Sequence, residues 1–217
     1  VTIMGELDSF FFPKAVVLWA LLGLPAALHA EGTEEIAALE AEVAALRPDS
    51  RYPHDPFILV TLQEAVVAKR EGSGGVGACL AHEGSGGIVA RGRNRQYVPY
   101  WRSDLHAEMD VLNRWEDRIR LLKGSGNPRE TGDLVLYSSM EPCPMCLTRL
   151  INTGLRKVYY AAVDPDGGMA RRIDLLPPFW REAARGAAYE EAACSPAMKA
   201  LATRLFRHGA RAKAFAR

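Results

Sequence analysis

Two short stretches of the chain carry side chains able to hold a metal and move protons. His106-Ala107-Glu108 offers an imidazole and a carboxylate two residues apart, and Glu141-Pro142-Cys143-Pro144-Met145-Cys146 offers two sulfurs. One imidazole and two thiolates make a borderline-soft donor set suited to Zn2+. Three protein ligands on a tetrahedral ion keep one position open, the arrangement of a catalytic site rather than a structural one. Zinc there lowers the pKa of a water toward about 7 and so supplies a nucleophile near neutrality. Glu108, beside the metal but not a ligand, is the natural proton carrier. The chemistry is hydrolytic: water adds to a carbon, and Glu108 protonates the group that leaves.

Two other readings of the C-x-x-C pair stand beside this one. A closed structural site needs a fourth ligand, and of the four cysteines only Cys79 and Cys194 remain for it. No second C-x-x-C and no H-x3–5-H accompanies the pair. That reading makes the chain a non-catalytic, zinc-stabilised binding module. A thioredoxin-type redox pair leaves His106-Ala107-Glu108 without a purpose. Cys79 sits in an apolar run and reads as a small buried hydrophobe; spacing does not say whether it pairs with Cys194.

The elements that must position these groups follow from periodicity and stop signals. Asp55 as N-cap with Pro56 at the first helical position predicts a helix over Phe57–Arg70. Val76–His82 and Ile88–Arg91 are apolar runs joined by Gly84-Ser85-Gly86-Gly87, a hairpin signal. Leu105–Leu122 reads as the first metal helix, with Asp104 as its cap. A loop over Gly124–Gly132 leads to a third strand, Leu134–Ser138. A second metal helix, entered through Pro142 and Pro144, runs to about Asn152, where Gly154 stops it. Thiolates are favoured at its N-terminus. Lys157–Val163 reads as a strand parallel to the third. Phe179–Arg185 and Pro196–Arg207 read as helices, with a fifth strand around Ala187–Ala192. The succession predicts a three-layer α/β/α sandwich around a mixed five-stranded sheet.

At 217 residues and 48% hydrophobic, the chain suits one compact domain with a full core plus extensions. A formal charge of +1 leaves no whole-chain electrostatic footprint for nucleic acid. Arg204, Arg207, Arg211, Lys213 and Arg217 make the C-terminus basic, a pattern common at a solvated helix end. Residues 1–30 differ in character. Ala15–Ala27 is uncharged and apolar, Lys14 precedes it, and Leu28-His29-Ala30 reads as a cleavage junction before Glu31. An export signal, placing the protein in the periplasm or outside the cell, is one reading of this segment. A frayed apolar helix on a cytoplasmic protein is the other, and the run is short for a membrane span. Residues 31–50 form an extra N-terminal helix, with Thr33 as N-cap and Ile36, Leu39, Val43 and Leu46 along one face. Residues 51–217 form the catalytic domain.

From Asp55 to about His208 the chain resembles the cytidine deaminase superfamily, nearest the branch of tRNA adenosine deaminases, guanine deaminases and fungal-type cytosine deaminases. The motifs that carry the resemblance occur in order. They are Gly77-Ala78-Cys79-Leu80, Gly92-Arg93-Asn94-Arg95, His106-Ala107-Glu108, Glu141-Pro142-Cys143-Pro144-Met145-Cys146 and Tyr159-Tyr160-Ala161-Ala162 before Asp164-Pro165-Asp166-Gly167-Gly168. The spacing H-x-E…P-C-x-x-C is the signature of zinc-dependent nucleobase deaminases. The resemblance implies zinc on His106, Cys143 and Cys146, Glu108 as proton shuttle, Asn94 hydrogen-bonding the base, contact with the Ala107 backbone, and a homodimer. Tyr97, Tyr100 and Trp101 are candidates to stack on a flat base, though loop aromatics also serve simple packing. The implied activity is hydrolytic removal of the exocyclic amine of a guanine-, cytosine- or adenine-type base or nucleoside. Editing of tRNA (A to I) or another nucleic acid is the alternative. Against it, Leu147-Thr148-Arg149 stands where the tRNA enzymes carry small residues.

Overall fold

The computed structural model describes residues 26–123 and 131–208. Strands β1 (Gly77–His82), β2 (Ile88–Arg93), β3 (Leu134–Met140), β4 (Lys157–Ala162) and β5 (Ala188–Glu191) form one sheet in the order β2-β1-β3-β4-β5. β1 runs antiparallel to β2 and β3, while β3, β4 and β5 are parallel. Alternation along the central strands decides the layering. Leu134 and Leu136 of β3 point into one core and Val135 and Tyr137 into the other. Ala78 and Leu80 of β1, and Val158 and Tyr160 of β4, join the first of these; Cys79 and Ala81 join the second. A strand buried on both faces reads as a continuous apolar run, which is why β3 shows no polar alternation.

Helices α1 (Ala26–Ala45), α2 (Asp55–Arg70) and α6 (Pro196–Arg207) cover one face through Leu39, Ile58, Leu62, Met198 and Leu205. Helices α3 (Ala107–Lys123) and α4 (Pro144–Asn152) cover the other through Val111, Leu112, Leu147 and Leu150. A 3-10 turn (Ala170–Leu175) and the short α5 (Pro178–Ala183) close that layer. The three-layer α/β/α sandwich around a mixed five-stranded sheet is therefore as expected, and α6 has the expected bounds. The 3-10 turn was not expected.

Three local expectations are corrected. α1 begins by Ala26 and passes through residues 30 to 33, so Thr33 lies inside the helix rather than at its cap. The alanines at 26, 27 and 30 are strong helix formers and carry the helix back past the polar signal. Residues 1–25, most of the apolar leader, lie outside the described residues. So do most of the loop around Gly124–Gly132 and the basic positions 211, 213 and 217. At α2 the N-cap position is His54, and Asp55 is spent elsewhere. Its carboxylate accepts the backbone N–H groups of Ser195 (2.7 Å) and Asp49 (3.1 Å), tying three segments together at a buried point. Asp104 is the third. Its carboxylate takes the Arg102 guanidinium at 2.6 Å, and it is the Asp104 backbone carbonyl that accepts the His106 N–H, at 2.9 Å. Among the described residues no helix is long and apolar enough to cross a membrane.

Candidate active site and metal centre

The two metal stretches meet because two helices begin at the same place. The His106 carbonyl accepts the N–H of Asp110, and the Cys143 carbonyl accepts that of Leu147, so each residue opens its helix. Cys143 is the N-cap of α4, with extended backbone, and Cys146 lies one turn on, on the same face. Both sulfurs lie 3.5 Å from His106 Nδ1. Ligands at zinc distances of 2.0–2.3 Å and tetrahedral angles stand roughly 3.6 Å apart, so the separation fits zinc without rearrangement. Among the described residues, His106, Cys143 and Cys146 form the one group of three potential ligand residues whose donor atoms all converge within 4.8 Å. Cys79 and Cys194 are free thiols buried in the α2–α6 core, so neither completes a closed four-ligand site. They do not form a disulfide with each other.

The electrostatics suit a cation. The Cys143 thiol is held down to about 4, first by the hydrogen bond from Cys146 and then by His106, against burial. Cys146 is pushed up because it carries the proton that the two sulfurs share and because it is buried. A thiolate of this kind, at a helix N-terminus, is ready to bind metal.

Glu108 stands in the first turn of α3 and is only 3% exposed. Burial pushes its carboxyl up, while the nearby His106 and the Ser138 hydroxyl pull it down; the net direction is upward. Ser138 Oγ donates to Glu108 Oε1 at 3.0 Å and fixes the carboxyl against β3. Glu141, quoted above only as part of a motif, has a task of its own. Fully buried, it accepts the N–H groups of Asp164 (3.2 Å) and Arg171 (3.0 Å) and pairs with the Arg171 guanidinium at 3.1 Å. Gly168 passes so close that a Cβ there would sit 2.3 Å from Glu141 Cδ. Glu141 therefore pins the loop after β4 to the metal turn.

A cavity of about 420 Å³ opens over this centre and is lined by His106, Glu108 and Cys143 together with Asn94. Asn94 is buried, and its Oδ1 accepts from Ser73 Oγ (2.7 Å) and the Gln96 N–H (3.1 Å). Its Nδ2 donates to Gln96 Oε1 at 3.1 Å. Ala107 is fully buried in the α3–α4 core and does not line the cavity. Of the three candidate aromatics only Tyr97 lines it; Tyr100 and Trp101 are exposed. Ile36, Lys69, Phe206 and His208 line it as well, and none was singled out for a site from the sequence. The apolar stripe of α1 signalled packing, not the cavity that packing encloses.

The family model for the cytidine and deoxycytidylate deaminase zinc-binding region matches residues 53–162, just over half of the chain. The chain is similar to the tRNA-specific adenosine deaminase of Bacillus subtilis (strain 168). The two are 36% identical over 112 residues, covering 52% of this chain and 63% of that protein. The match thus spans less than two thirds of that relative. The chain is also similar to the guanine deaminase of the same strain, 29% identical over 118 residues, covering 54% of this chain and 69% of that one. Among solved structures, a guanine deaminase from Nitrosomonas europaea shares the fold, with a TM-score of 0.54 and 21% identity over 84% of this chain and 93% of that one.

Proposed function

The chain belongs to the cytidine and deoxycytidylate deaminase zinc-binding family, and on that footing we propose that it is a hydrolytic deaminase. It replaces the exocyclic amine of a guanine-, cytosine- or adenine-type base or nucleoside by oxygen and releases ammonia. One observation carries this reading: His106 Nδ1 and two sulfurs converge beside a cavity that His106, Cys143 and the buried Glu108 line. Zinc held by His106, Cys143 and Cys146 supplies the Lewis acidity that brings a water toward ionisation near neutrality.

Glu108 does the proton work. Its carboxylate takes a proton from the attacking water and passes it to the ring nitrogen beside the carbon under attack. It then takes the remaining proton from the hydroxyl added to the carbon and delivers it to the amine; the carbon–nitrogen bond breaks, a carbonyl forms in its place, and ammonia leaves. Burial pushes the Glu108 pKa upward, which favours its holding a proton between the two transfers. Ser138 keeps the group oriented through both transfers. Asn94, held by Ser73 and Gln96, offers its remaining amide N–H to an acceptor on the base. A homodimer, implied by the resemblance, is tested by light scattering on the zinc-loaded chain.

The test is ammonia release by zinc-loaded protein across a panel of bases and nucleosides. Glu108→Gln is expected to keep zinc and lose turnover. A variant as active as the parent removes Glu108 from this role, and a fully metallated parent inert on the whole panel leaves the zinc-stabilised binding module. The 36% identity to a tRNA-specific adenosine deaminase favours a second reading, A-to-I editing of tRNA. Sequencing of tRNA incubated with the protein decides that one.

A further inference from the structure

Part of the cavity wall comes from outside residues 53–162, the stretch shared with the family. Ile36 of α1 lines it, and so do Phe206 and His208 at the end of α6. His208 is fastened twice. Its imidazole Nε2 lies 3.0 Å from Glu35 Oε2, and its side chain is only 14% exposed. Its backbone carbonyl accepts from the Lys69 ammonium. Gly75 lets the turn before β1 run against this end, since a Cβ there would lie 2.2 Å from the Leu205 carbonyl oxygen. α1 in turn is seated by Leu39 and Val43, 2% and 4% exposed, and by the Arg204–Glu42 pair.

We propose that α1 and the end of α6, clasped by Glu35 and His208, are the specificity-determining wall of this site. The wall admits a free base or nucleoside and turns away a base carried in a polynucleotide strand. The inference rests on the deaminase reading above and narrows its substrate class. A base within a strand brings a sugar–phosphate chain across the mouth of its pocket, and such a path is lined by lysine and arginine that neutralise phosphates. Here the added wall is apolar at Ile36 and Phe206. Among the described residues the lining's one lysine, Lys69, directs its ammonium to the α6 end. At about 420 Å³ the cavity falls in the lower part of the range for small-molecule sites.

The experiment uses the zinc-loaded full chain, the variants Ile36→Ala, Ile36→Trp, Glu35→Ala and the control Glu40→Gln, and two readouts. The first is the rate of zinc transfer to a bulky chelator, 4-(2-pyridylazo)resorcinol, which needs no turnover. Ile36→Ala and Glu35→Ala are expected to speed it several-fold, while Glu40→Gln, on α1 but outside the cavity, leaves it unchanged. The second is steady-state kinetics on the base the parent deaminates. Ile36→Trp is expected to raise its KM by about tenfold or more with zinc content unchanged, the scale on which pockets sense a misfit of a few atoms. Equal transfer rates in every protein would overturn the wall. So would a parent that deaminates the same base in a short single-stranded RNA as efficiently as the free base. Bound zinc with no ammonia from any protein strikes the deaminase reading instead, and the chelator comparison still decides whether α1 walls the metal cavity.

Discussion

The metal centre and the outer wall of the cavity are built in opposite ways. His106, Glu108, Cys143 and Cys146 stand on two helix starts backed by β3, a strand buried along its whole length. Glu108 and Ser138 form a buried hydrogen bond, and Glu141 ties the neighbouring loop to the same turn. The wall at Ile36, Phe206 and His208 is half-buried, and its clasp partner Glu35 is 64% exposed at the side chain. Groups that must hold reacting atoms in one geometry sit on rigid elements with their rotamers locked by neighbours. Groups that only exclude or admit a substrate can sit on an added helix whose solvent-facing contacts are individually weak. On the proposal above, chemistry belongs to the shared core and selectivity to the rim.

Substitutions can break or sharpen this contrast. The largest effect is expected from Cys146→Ser, which removes one of three ligands: zinc measured by atomic absorption after gel filtration drops to background, and turnover goes with it. Stoichiometric zinc in that variant would deny the centre its ligand. Glu108→Gln is expected to lower kcat by about 10²–10⁴-fold, the usual contribution of a positioned acid–base group, while zinc stays bound. Leu39→Ala removes the buried anchor of α1 and is expected to cost about 2–5 kcal/mol in urea unfolding. A cost near zero would mean that α1 is not packed as described. Gly168→Ala drives a methyl group into the buried Glu141 carboxyl, a backbone-adjacent overpacking expected to cost about 1–3 kcal/mol. A wild-type melting temperature in that variant would show the loop after β4 to be loosely held. The smallest effect is expected on α1 away from the cavity: Glu40→Gln breaks an exposed pair with Arg70 and should change stability by less than about 1 kcal/mol.

Much of the fold was readable from residue order alone. The Gly84–Gly87 hairpin, the two metal helices, the parallel β3–β4 pair and α6 all stand where periodicity and stop signals place them. Polar cap signals were less dependable. Thr33, Asp55 and Asp104 all look like helix caps, yet Thr33 lies within α1, Asp55 binds the backbone of Ser195 and Asp49, and Asp104 pairs with Arg102. A short polar side chain satisfies a distant N–H or guanidinium as well as a local one, and only the folded neighbourhood chooses between them.

The ligand set could be identified in the chain because its spacings are short and chemically specific. One helical turn separates Cys143 from Cys146, two residues separate His106 from Glu108, and few other reactions call for that combination. That His106 turns Nδ1 toward both sulfurs, that Ser138 steadies Glu108 and that Glu141 holds the loop after β4 emerged only on folding. The same is true of the rim. Residues 35, 36, 69, 206 and 208 meet because α1, α2 and α6 pack on one sheet face, and no local spacing encodes a contact between a chain's two distant ends. Short-range geometry is dictated by backbone stereochemistry, whereas the shape of a cavity depends on how whole layers come to rest against one another.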